Sequence, residues 1–215
     1  MAFGKAVLGL AALGMVAPAT AQFYWQPFDT SGAVLAGYET GMGPALPGAT
    51  PVEQKAAIVW GMRSALNVAA LQCGFEPTLR TLENYNAILG NHGPELTASF
   101  NTLTAYFKRT NKTVALGQKA LDTYGTRTYS TYSVVQAQYE FCATAGRIGR
   151  IALFTPRGRF VTMAEEHLRS VHNSLRRTGE QQFRFGTPQR IALTPNFNES
   201  RCWKKNRYNA ACGYL

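Results

Sequence analysis

The side chains with the widest chemical repertoire in this chain are its three histidines, His92, His167 and His172, because imidazole can act as general base, proton shuttle or metal ligand. Their spacing leaves them little to do together. On a helix, His167 and His172 lie about 140° apart, which misses the i,i+4 arrangement that grips zinc. His92 lies in Asn91-His92-Gly93-Pro94, which reads as a turn.

The carboxylates are no better placed for acid and base work. Glu165 and Glu166 are sequence neighbours whose side chains diverge by about 100° around a helix, so they cannot flank one substrate. They read as first-turn acids that complement a helix dipole, with Glu165 spaced to pair with Arg169. The sequence contains no G-x-S-x-G, C-x-x-C or C-x-x-C-H. The expectation is a protein that is not an enzyme and carries neither metal nor cofactor. A hydrolase site assembled in space around His167 or His172 ranks as a third reading, behind the two binding roles developed below.

Cysteine chemistry depends on the compartment, and the first 21 residues supply it. Lys5 precedes an apolar run from Ala6 to Ala17, and Ala19-Thr20-Ala21 offers the small residues that a signal peptidase reads. That run falls short of the roughly 20 residues that span a bilayer, so 1–21 reads as a cleaved signal peptide and the working chain starts at Gln22. The implied address is the periplasm, cell surface or medium of a Gram-negative cell, with no membrane span in the mature chain. In such a compartment, Cys73, Cys142, Cys202 and Cys212 become two disulfides. Cys202 and Cys212 are near neighbours, with Asn206, Asn209 and Gly213 to turn the chain, which favours Cys202–Cys212 and Cys73–Cys142.

Charge is divided unevenly. Residues 22–145 carry eight basic and eight acidic residues, whereas residues 146–215 carry thirteen basic residues, mostly arginine, against four acidic ones. The whole net excess of +9 in the mature chain therefore sits in its last third. Such a layout attracts anionic partners: an acidic protein surface, an anionic lipid, lipopolysaccharide or an acidic polysaccharide. The compartment disfavours nucleic acid, and the sequence carries no nucleic-acid-binding motif.

Most of the chain between the ends is helical by its periodicity. Thr50 as N-cap, Pro51 in the first turn and Glu53 open a helix whose apolar stripe is Ile58, Met62, Ala65, Ala69 and Cys73. A second helix is expected from Pro77 to Leu89 with Gly90 as its stop, and a third from Pro94 carrying Leu96, Phe100, Leu103 and Phe107. A further run from Lys112 carries Val114, Gly117, Leu121 and Tyr124, and polar Gly125–Thr131 reads as a connection. The next helix spans about Tyr132 to Phe154, with Val134, Ala137, Phe141, Ala145, Ile148 and Ala152 in register. A last one runs from Phe160 to Arg176 on Ala164, Leu168, Val171 and Leu175.

The expected fold is all-α: a disulfide-braced bundle of about five helices over 52–178. It is flanked by an extended Gly/Pro/aromatic arm at 22–51 and an irregular basic segment at 179–215, with short strands near Arg190 to Leu193. Both flanks are aromatic-rich. Phe23, Tyr24, Trp25 and Phe28 in the arm are candidate contact residues, either across its own bundle or on a neighbour. In the basic segment the candidates are Arg184, Arg190, Arg201, Trp203, Lys204, Lys205 and Arg207, where cations interleave with aromatic rings. The expected role is an exported structural or interaction subunit that meets a protein partner or copies of itself, with a binding module for an anionic envelope ligand as the alternative.

Overall fold

The computed structural model describes residues 29–176, 199–209 and Cys212. It is a helical bundle built around one central helix, α1 (Pro51–Gln72). Its start is the expected one: the Glu53 N–H donates to Thr50 Oγ1 at 3.3 Å, and the Thr50 N–H donates back to Glu53 Oε2 at 2.8 Å. The stripe from Ile58 to Cys73 is buried throughout. Small residues on its other faces, Ala56, Ala57 and Ala70, are buried as well, which lets helices approach α1 on several sides.

The next helix departs from expectation. After a 3-10 turn at Pro77–Leu79, α2 runs unbroken from Thr81 to Thr110, through Gly90, His92 and Pro94. Two helices expected around a turn are one element. Pro94 cannot donate to the carbonyl of Gly90, but both residues lie on the exposed side, where water can satisfy that group. The opposite side is anchored by Ile88, His92 and Leu96, all buried, so packing overrides a local stop signal.

Another departure is α3, which spans Val114–Tyr132 and absorbs the segment expected to be a connection. Its buried positions, Gly117, Leu121, Tyr124, Thr128 and Tyr132, keep helical period to the end. The hydroxyl groups of Thr123, Thr126, Thr128, Ser130 and Thr131 each donate to the carbonyl four residues back, and so satisfy themselves inside the helix.

A 3-10 turn at Val135–Ala137 leads into α4 (Gln138–Phe154), which therefore starts later than its sequence pattern suggested. Cys142 on α4 is joined to Cys73 at the end of α1 across a Cα–Cα distance of 5.6 Å. Closing a loop over a sequence separation of 69 contributes about 4 kcal/mol in the chain-entropy account. The last helix, α5, is Phe160–Ser174. Glu165 and Glu166 thus stand in its second turn, and Glu165 pairs with Lys55 rather than with Arg169. The start of α5 has no cap from its own residues; the Phe160 N–H donates to Glu95 Oε1 of α2 at 2.9 Å.

Two apolar clusters fill the bundle. The larger joins α1, α2, α4 and α5 around Met62, Ile88, Phe141, Ile148 and Leu168, and the smaller joins α1, α2 and α3 around Ala57, Leu103, Phe107, Leu121 and Tyr124. The described part of the arm, 29–50, is laid across this body. Leu35 is buried in the larger cluster, and its N–H donates to the Glu165 carbonyl at 2.9 Å. Asn173 donates to the carbonyls of Thr30 and Ser31, Arg169 to that of Ala33, and the Tyr106 hydroxyl to that of Pro47. For these residues, the two arrangements left open by the sequence resolve into packing on the chain's own bundle. The signal segment and the aromatic start of the arm at 22–28 lie outside the described residues, as does the stretch 177–198 with its expected strands.

Candidate functional site

The sequence reading placed its contact residues in the basic segment, and part of that segment is built as a hairpin. β1 (Trp203–Lys204) and β2 (Arg207–Tyr208) pair antiparallel, joined by Lys205 and Asn206. Both linking residues have positive φ, 48° and 60°, the signature of the two-residue turn whose twist matches a hairpin. Asn206 tolerates that conformation readily; Lys205 adopts it at some cost. The Cys202–Cys212 disulfide closes the base with a Cα–Cα distance of 5.8 Å. A segment expected to be an irregular disulfide loop is thus locally a hairpin.

The strand register sorts its side chains by type. Trp203 stands opposite Tyr208, with ring centroids 5.5 Å apart in an edge-to-face contact. Lys204 stands opposite Arg207. Like charges directly across a ladder destabilise the pair, so the hairpin concentrates positive charge at a cost that an anionic partner would relieve. Arg201, Lys204, Lys205 and Arg207 are all exposed, and among the described residues Arg201 alone of these four is ion-paired, to Glu199 at 3.1 Å. Within 199–209 the four cations face one acid. Arg184 and Arg190, like Phe23, Tyr24, Trp25 and Phe28, fall outside the described residues.

A second basic surface was not foreseen. The solvent side of α4 presents Tyr139, Ala143, Arg147, Arg150 and Phe154, at steps of four, four, three and four, and all five are exposed. Phe154 is 86% exposed, the most open large apolar residue among those described. Neither Arg147 nor Arg150 has an ion pair among the described residues. The residues of this surface lie opposite the buried stripe of α4, and the packing of neighbouring helices is what defines them as a surface.

The histidines are dispersed. His92 is not in a turn: it is fully buried in α2, with Nδ1 2.8 Å from Glu95 Oε2 and Nε2 3.1 Å from the Ala152 carbonyl oxygen. Glu95 therefore ties α2 to α5, holding His92 with one oxygen and the start of α5 with the other, while His92 extends the link to Ala152 of α4. Burial lowers the pKa of His167, with Glu166 opposing that shift and Arg147 adding to it. At His172, burial again lowers the pKa, partly offset by a hydrogen bond with the Met42 backbone, and its Nε2 lies 3.3 Å from the Tyr132 hydroxyl. His172 is thus half-buried against the edge of the Tyr132 ring. All four cysteines are in disulfides.

The chain matches no family model, no curated protein and no solved structure. Its function must therefore be argued from these surfaces alone.

Two further observations bear on location. Among the described residues, no helix is long and apolar enough to cross a membrane. The two disulfides are compatible with an oxidising compartment outside the cytoplasm.

Proposed function

We propose that this protein is an exported, non-enzymatic interaction subunit of a periplasmic or cell-surface assembly, which docks on an acidic partner protein through its basic C-terminal segment. The observation that carries this reading is the hairpin, where Lys204 and Arg207 face each other across two strands beside Lys205. Scattered solvating charges would not need a closed, turned scaffold to hold like charges together. The unpaired Arg147 and Arg150 on α4 extend the same chemistry to the bundle. Residues 29–50 of the arm are committed to their own helices, which leaves the aromatic start of the arm, Phe23, Tyr24, Trp25 and Phe28, as its contact residues beside the basic segment.

The test is native purification from envelope extracts with the wild-type chain and with Arg201, Lys204, Lys205 and Arg207 all changed to alanine. A defined protein that co-purifies with the wild type and is lost from the variant is the expected result. An isolated monomer without a partner contradicts the reading. If the protein purifies alone but is held on heparin in a manner that falls steeply with salt and needs the same four residues, the ligand is instead lipopolysaccharide or an acidic polysaccharide.

A further inference from the structure

We propose that a groove between the arm and α3 binds a linear amphipathic carboxylate. The groove has a volume of about 450 Å³, within the roughly 300–1,000 Å³ range of small-molecule sites, and is shallow, more open to solvent than enclosed. Pro44 and Ala45 of the arm form one wall, and Phe107 of α2 contributes to the base. Two adjacent ridges of α3 form the other side.

The ridges differ in chemistry. Leu116, Ala120 and Tyr124 recur at four-residue steps and make an apolar row, while Lys119, Thr123 and Arg127 recur at the same step beside it and make a polar row. Each row covers eight residue steps and advances about 12 Å along the helix, the scale of a medium-length extended acyl chain. Leu116 is 49% exposed, an apolar surface that a chain lying in the groove would cover.

Charge fixes the head group. No acidic residue lines the groove, and Lys119 and Arg127 are both exposed without an ion pair among the described residues. They are single cations set two turns apart, with Thr123 midway, rather than a cluster of donors converging on one point. That arrangement suits a singly charged carboxylate better than a phosphate, which calls for several converging donors. No residue of the hairpin lines this groove.

The test is calorimetric titration of the mature chain with dodecanoate below its micelle concentration, beside acetate and dodecyltrimethylammonium. Saturable one-to-one binding of dodecanoate, with neither control bound, is expected. Lys119→Gln with Arg127→Gln should raise Kd at least about tenfold, the loss expected when neither end of the polar row offers a charge-assisted contact to the head group. Leu116→Asp should abolish binding while preserving the helix, because an acid in the first turn of α3 is favourable there. Absence of saturable dodecanoate binding overturns the proposal. So does equal binding of the cationic detergent, or a Kd unchanged in both correctly folded variants.

Discussion

Burial lowers the pKa of His172, and that has a consequence for stability as pH falls. Its folded value lies below the ordinary 6.5, so the unfolded chain takes up a proton more readily than the folded one. Stability therefore rises with pH across the window beneath 6.5 and is lost as pH drops through it. His167 acts in the same direction. Glu39 and Glu53 follow at lower pH: hydrogen bonds from Arg169 and Arg109 respectively hold their carboxyls below the ordinary range, a contribution lost as they protonate. Urea unfolding at pH 7 and pH 5 should show a loss in the wild type that is smaller in His172→Gln; an equal loss in both would refute this role. None of it was legible beforehand, because the Tyr132 partner of His172 lies 40 residues away and Met42 acts through its backbone. For His92 the local sequence was misleading, since Gly93 and Pro94 announce a turn that long-range packing and the tie to Ala152 forbid.

At the scale of elements, the buried stripes of α1, α4 and α5 were readable because their large aliphatic and aromatic residues repeat at helical spacing. The second half of α3 was not. Its buried face is made of Tyr124, Thr128 and Tyr132, and its exposed face is rich in hydroxyls, a composition that mimics a loop until each hydroxyl finds the carbonyl one turn back. Two glycines on this helix test the packing. A Cβ at Gly117 would lie 2.9 Å from the Phe107 carbonyl oxygen and 3.2 Å from the Lys108 Cα, so backbone would have to move, whereas a Cβ at Gly125 meets nothing within 4 Å. Gly117→Ala should destabilise by about 1 kcal/mol net, the overpacking cost exceeding the gain in helix propensity. Gly125→Ala should stabilise by up to about 1 kcal/mol, since only propensity changes. Thermal melts of the two variants measure both; shifts of the same sign would show that α2 and α3 do not approach as closely as described.

Across the whole molecule, the two disulfides do different jobs. Cys73–Cys142 joins α1 to α4 in the interior, while Cys202–Cys212 closes a hairpin whose like charges disfavour it. Both pairings were the ones favoured by the even cysteine count and by the nearness of Cys202 to Cys212 in sequence. The location of the charge excess was read directly from the order of charged residues, but the sorting of its residues into an aromatic pair and a cationic pair needed the strand register. That register rests on the turn at Lys205-Asn206, and a lysine in a left-handed conformation is a weak sequence signal. The α4 surface with Arg147 and Arg150 was hidden for another reason: exposed positions are defined only once the neighbours of a helix are known. The central claim is that the hairpin meets an acidic protein, and site-specific photocrosslinking in the native envelope tests it most directly. A probe at Asn206 should give a discrete, protease-sensitive adduct that is absent with the probe at exposed Ala98 and lost when Lys204→Glu and Arg207→Glu reverse the charge while keeping like charges opposed. No protein adduct at Asn206, or one that survives the reversal, would contradict the account.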